Sequence, residues 1–194
     1  MPSLAVVDTE FFVLPRGGSR RQPLTTMVPF AVAVVLVDVA TGAELDHRQW
    51  LVRPAGLGPD DATTVAVALS RCRNRHLYRA AHTYGRDCAD VLAEARAMIA
   101  RADAGVWAKG AAMERRFLSG RGLCGEACAQ AAALADLTLT VHDLDDPEAR
   151  AAAEDAGVPV RAVPVGTAHD PLAEVRFFAP PAVAVVARRA GAVV

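Results

Sequence analysis

A chain of 194 residues with 53% hydrophobic content is long enough for one globular domain, spanning 1–194, and too apolar to remain disordered. Its 21 lysines and arginines nearly balance 22 acidic residues, and the formal net charge of -1 excludes a global basic field holding nucleic acid by charge alone. No basic n-region precedes an apolar core at the N-terminus, and the longest apolar run, 28–37, is too short for a bilayer.

The first predicted strand is 4–8, and it runs into two carboxylates and two aromatics: Leu4-Ala-Val-Val-Asp8-Thr-Glu10-Phe-Phe12. Segment 15–23, with Pro15, Gly17, Gly18 and Pro23, reads as a polar loop. Residues 29–40 form a long buried strand, Thr41-Gly42 a tight turn, and 44–52 a third strand, so the chain opens with an antiparallel meander. A helix with an acidic start follows at 60–71, then a basic, aromatic-bearing connection at 73–85. Apolar residues at helical spacing mark 87–101. Beyond it come a short strand at 105–108, helices at 111–118 and 126–135, a strand at 137–141 and a helix at 147–156 stopped by Gly157. Two terminal helices, 169–178 and 181–189, complete an α/β sandwich with a mixed sheet.

On a strand, positions i and i+2 share a face, so Asp8 and Glu10 stand side by side at the end of a buried strand. Two such carboxylates repel, and a hard divalent cation is the usual remedy; the plain alternative is a strand running into a solvated turn. Two later segments bear on this choice. Val106-Trp-Ala-Lys109-Gly110 leads through a glycine turn into a helix carrying Glu114, and His169 precedes a helix with Glu174 five positions on.

These motifs, in this order, resemble the DEDDh exonuclease family of the RNase H-like fold, from Ala5 to about Phe178. That family carries Asp-x-Glu on its first strand, an acidic residue in a strand–turn–helix segment and His-x4-Asp on a late helix. The resemblance implies an RNase H-like three-layer sandwich with a mixed five-stranded sheet flanked by helices. It implies a 3′–5′ exonuclease acting on single-stranded DNA or RNA ends, with Asp8, Glu10, Glu114, His169 and Glu174 as catalytic residues. Two ions, Mg2+ or Mn2+, would bind between Asp8, Glu10 and Glu174, with Glu114 joining directly or through water, and His169 would be the general base. The departures are Glu114 and Glu174, where the family has aspartates, and Lys109-Gly110 where it usually has His-Asn. They leave open a catalytically silent nucleic-acid-binding or protein-interaction module on the same fold.

Other features carry paired readings. Phe11 and Phe12 would wedge against a terminal base or belong to the core. Lys109 would contact phosphate or sit solvated at a strand end. Cys72, Cys88, His76 and His82 match no standard zinc spacing, and the four cysteines, Cys124 and Cys128 included, show no secreted framework. Gly120-Arg-Gly122-Leu-Cys-Gly125, with Asp143 some way on, fits the dinucleotide fingerprint, but it follows a helix instead of joining strand to helix, which argues against a nucleotide-binding oxidoreductase. The expected protein is soluble and intracellular, cytoplasmic or nuclear, and free of membrane.

Overall fold

Valines alternating with alanines over 31–34 build the middle of the sheet. In the computed structural model, which describes residues 2–19, 22–54, 74–119, 140–164 and 169–191, β1 (Ser3–Ser19) and β2 (Gln22–Asp38) pair antiparallel along their whole length. β3 (Glu44–Leu51) adds antiparallel to β2 after a turn in which the Asp38 carboxylate accepts from the Ala40 and Thr41 N–H groups at 2.8 and 2.9 Å. β4 (Val106–Ala108) lies parallel to β1, and β5 (Val141–Asp143) parallel to β4. The order across the mixed sheet is β3-β2-β1-β4-β5. The described helices are α1 (Arg75–Tyr84), α2 (Cys88–Ile99), α3 (Ala112–Ser119), α4 (Pro147–Asp155) and α5 (Pro171–Arg189).

The period-two alternation of β1 divides the core in two. Ala5 and Val7 face α2 and α3, meeting Val91, Leu92 and Phe117. Leu4 and Val6 face the other layer, meeting Ala149 of α4 and Val175, Phe178 and Ala182 of α5. Asp8 and Glu10 continue the second face, so β1 aims them toward the layer that contains α5.

Three expectations change. The segment expected as a loop at 15–23 is instead the end of a long hairpin, paired from Pro15↔Thr25 to Ser19↔Gln22. Prolines are tolerated there because, among the described residues, β1 pairs with β4 only at Ala5 and Val6, so the far hairpin's outward backbone positions lie beside no described strand that needs their donors. Register shifts after Glu10 and after Pro15 absorb the irregularity. The connection expected at 73–85 contains α1, whose Tyr78 and Ala81, one turn apart, are buried; Tyr78 meets Phe30 edge-on at 5.9 Å. The two terminal helices are one, α5, running through Pro180 and Pro181. Each internal proline removes a backbone hydrogen bond, but the stripe Val175–Phe178–Ala182–Val185, buried against the sheet on both sides of the pair, holds the helix together.

Strand β5 begins at Val141, the last residue of the expected strand; 137–139 lie outside the described residues, as do the helices expected at 60–71 and 126–135 and the glycine motif at 120–125. Cys88 is disulfide-bonded, a feature the cysteine spacing does not announce; the other three cysteines lie outside the described residues. No helix among the described residues is long and apolar enough to cross a membrane.

Candidate active site

The site begins with register. Asp8 pairs with Ala33 and Glu10 with Ala31 on β2, so the neighbours of both carboxylates on that side are single methyl groups. The parallel pairs Ala5↔Val106 and Val6↔Trp107 put the end of β4, Ala108, level with Val7. The chain therefore turns at Lys109 and Gly110 beside Asp8. Gly110 makes that turn at φ +67°, a conformation that favours glycine, and Asp143 at the end of β5 fastens it by accepting from the Gly110 and Ala111 N–H groups at 2.9 and 3.1 Å. Helix α3 starts at once and carries Glu114 in its first turn, 3% exposed. With β4 ended, no described strand continues along this edge of β1, and the Thr9 backbone hydrogen-bonds the Glu114 carboxylate.

Helix α5 brings the other half. Asp170 caps it, accepting from the Leu172 and Ala173 N–H groups at 3.1 and 3.2 Å, and Pro171 starts it. Glu174 follows in the first turn and accepts the backbone N–H of His169. His169 adopts φ +68°, uncommon for a residue with a side chain, and its Nδ1 lies 3.8 Å from Glu10 Oε2. From a third direction Asn74, immediately before α1, donates its side-chain amide to the same Glu10 oxygen.

Electrostatics bind these groups into one cluster. Burial, then the charges of Glu10, Glu174 and Glu114, push the Asp8 carboxyl well above the usual carboxylate range. Burial and Glu174 raise Glu10 to about 7, against the opposing Asn74 hydrogen bond. Burial raises Glu114 to about 7, with backbone hydrogen bonds from Glu114 itself and Thr9 opposing and Asp143 and Glu10 assisting. Among the described residues, Asp8 Oδ2 and Glu114 Oε2 are buried without a hydrogen-bond partner. A buried carboxylate oxygen in that position is normally matched by a proton or a cation. Glu10, His169 and Glu174 each offer one ligand atom, all within 4.8 Å of one another. Orphaned oxygens and a hard donor set fit a divalent cation.

Thus Asp8, Glu10, Glu114, His169 and Glu174 converge as the sequence order suggests. Phe11 does not join them: it points to the opposite face of β1 and packs, partly buried, against the core beside α2 and α3, which is its core reading. The side chain of Phe12 lies outside the described residues. Lys109 pairs with Asp145 at 3.7 Å and lies 5.8 Å from the Phe178 ring centre. Asn74 and Asp143 are the residues that sequence reasoning misses. Asn74 is a helix-start residue type, legible only once α1 is recognised; Asp143 ends a strand that must first be placed beside β4.

No protein-family model matches the chain, and no curated protein matches it. Solved structures do. The nuclease domain of 3′hExo, a DEDDh family member, bound to rAMP, aligns with TM-score 0.54 and 14% identity over 97% of this chain and 92% of that one. E. coli Exonuclease I in complex with a dT13 oligonucleotide aligns with TM-score 0.52 and 15% identity, covering 97% of this chain and 41% of that one. Exonuclease I from Methylocaldum szegediense gives TM-score 0.54 and 16% identity with the same coverage, 97% and 41%. The chain thus spans less than half the length of the Exonuclease I chains. At these identities the likeness establishes the fold: a mixed five-stranded α/β sheet flanked by helices, as in DEDDh exonucleases of the RNase H-like class.

Proposed function

We propose that this chain is a metal-dependent 3′–5′ exonuclease that releases nucleoside 5′-monophosphates from DNA or RNA 3′ ends. The observation that carries the reading is the convergence of Asp8, Glu10, Glu114, Glu174 and His169 at one end of β1, on a fold shared with nuclease domains. The nucleotide and oligonucleotide in the 3′hExo and Exonuclease I structures support nucleic-acid ends as the substrate class.

Asp8, Glu10 and Glu174 would hold two magnesium or manganese ions, with Glu114 joining directly or through water. When bound, the metal lowers the pKa of a water and offsets charge developing on the phosphate and the departing 3′ oxygen. The chain's own residues supply position and proton transfer. Crowded carboxylates repel a phosphodiester unless a cation lies between, which makes substrate binding conditional on the metal. His169, with a side chain 42% exposed, accepts the proton of the attacking water at its imidazole and passes it to solvent. Its left-handed backbone and its N–H bond to Glu174 keep the ring beside Glu10. The bond broken joins phosphorus to the 3′ oxygen of the penultimate nucleotide, leaving a new 3′ hydroxyl.

The test is purified protein with magnesium or manganese and 5′-labelled single-stranded or 3′-recessed DNA and RNA. Stepwise 3′ shortening with mononucleotide release, stopped by EDTA, is expected; no shortening with either ion would overturn the reading. One observation favours a silent module: Glu114 is 3% exposed and hydrogen-bonded to the Thr9 backbone, which turns it from the solvent. Oligonucleotide binding without turnover would support that alternative.

A further inference from the structure

We infer that Glu10, Glu174 and His169 also form a zinc-selective site, which competes with the working magnesium arrangement by taking the His169 imidazole as a ligand. The inhibitory half of this inference rests on the nuclease reading; the binding half does not. Among the described residues this is the group of side chains whose ligand atoms, one nitrogen and two carboxylate oxygens, lie within 4.8 Å of one another.

Geometry comes first. Tetrahedral zinc with bonds of about 2.0–2.1 Å places its ligand atoms about 3.3–3.4 Å apart. His169 Nδ1 and Glu10 Oε2 are already 3.8 Å apart, so closure around zinc needs side-chain shifts of about 1 Å or less at this pair and modestly more elsewhere. The half-exposed imidazole can make such a shift. Two ligands are already oriented by their neighbours, Glu10 by the Asn74 amide and Glu174 by the His169 N–H.

Chemistry then selects the ion. Magnesium demands a near-octahedral set of oxygens and keeps its waters, so an imidazole offers it little. Zinc takes one nitrogen and two carboxylates readily and leaves a fourth position for water. A second observation points to excess negative charge here: Glu114, 3% exposed, has its Oε2 buried and without a hydrogen-bond partner among the described residues, and its charge is felt at Asp8. Once His169 is a ligand, its lone pair cannot accept a proton from water. Zinc binding would therefore remove the base as it occupies two of the carboxylates.

The test uses the full chain freed of metal. Cobalt(II), a spectroscopic stand-in for zinc, is titrated by visible absorption, zinc by competition, and magnesium by calorimetry. We expect wild type to show tetrahedral cobalt bands and to bind zinc at least 100-fold more tightly than magnesium. His169→Ala should lower zinc affinity at least tenfold and leave magnesium affinity within about threefold. Imidazole ¹⁵N NMR of wild type, independent of any variant's folding, should show one His169 nitrogen shifting on zinc addition. Micromolar zinc should suppress magnesium-supported turnover of wild type. Unchanged zinc affinity in His169→Ala, or an unmoved His169 resonance in wild type, would overturn the site. Zinc bound through His169 in a protein without magnesium-supported turnover would sustain the site and overturn the nuclease reading alone.

Discussion

Glu114→Gln keeps the shape of a buried side chain and removes its charge, so it isolates the electrostatic cost of the cluster. Burial, aided by Asp143 and Glu10, raises the Glu114 carboxyl from 4.5 to about 7 in the folded chain. One pH unit of displacement is worth about 1.4 kcal/mol, so holding ionised Glu114 in place costs about 3 kcal/mol above pH 7. The sign follows from proton binding: the folded state holds the proton more tightly than the unfolded state. This contribution to stability is fully present below about 4.5 and is lost as pH rises through about 7. In EDTA, wild type and Glu114→Gln should therefore melt alike near pH 4.5, because both then carry a neutral group there. At pH 8 the variant should be more stable by about 2–3 kcal/mol, a rise of roughly 5–10 °C in Tm for a chain of this size. Circular-dichroism melts at the two pH values provide the assay, and saturating magnesium should raise wild type more than the variant at pH 8. Equal melting at pH 8 in EDTA, or a less stable variant, would refute the account of Glu114 as a strained buried charge.

Asp8→Asn should abolish magnesium-supported turnover while raising the Tm in EDTA at pH 8; nuclease assay and calorimetry read the two halves, and retained turnover would remove Asp8 from the site. His169→Ala should slow turnover by roughly 10²–10⁴-fold with oligonucleotide affinity little changed. An unaltered rate in that variant would make His169 structural. Asp143→Ala strips the acceptor from the Gly110 and Ala111 N–H groups and should cost about 1–3 kcal/mol in denaturant titration. A smaller effect would mean that the β4–α3 turn holds without it. Glu174→Asp should lower activity although aspartate is the residue more usual in the resembled family, and equal or higher activity would contradict the geometry found here.

The acidic cluster was legible because its parts are local patterns on elements whose type is easily read. Asp8 and Glu10 need only a strand to share a face, and Glu114 and Glu174 need only a helix start to be presented in a first turn. What escaped depends on contacts distant in sequence. Asn74 touches Glu10 across 64 positions, and Asp143 reaches Gly110 across 33. Helix α1 was hidden because its segment is dominated by basic and polar residues, while its burial rests on Tyr78 and Ala81 meeting a sheet that local pattern does not show. The long hairpin was hidden by Pro15, Gly17, Gly18 and Pro23, which normally punctuate loops. They are accommodated where, among the described residues, β4 is too short to cover that end of β1. The same shortness of β4 leaves the edge where Glu114 meets Thr9 without a described strand, so the proline-bearing hairpin and the buried carboxylate share a cause.

The two glutamates acquire a physical meaning from their second contacts. Glu174 does more than add charge to the cluster: its carboxylate holds the His169 backbone N–H, and His169 is in a left-handed conformation that needs such support. Shortening that side chain by one methylene withdraws the carboxylate by about 1.5 Å along a fully extended chain, enough to forfeit either the backbone bond or its place near Glu10. Glu114 has a similar double duty, reaching the Thr9 backbone on β1 while its other oxygen, among the described residues, has no partner beside the charges of Asp8 and Glu10. An aspartate at either position keeps the charge and loses the reach. On the proposed nuclease reading the longer carboxylates match where α3 and the start of α5 lie in this chain, so Glu114→Asp and Glu174→Asp should each weaken divalent-metal binding, and unchanged affinity by calorimetry would refute the match.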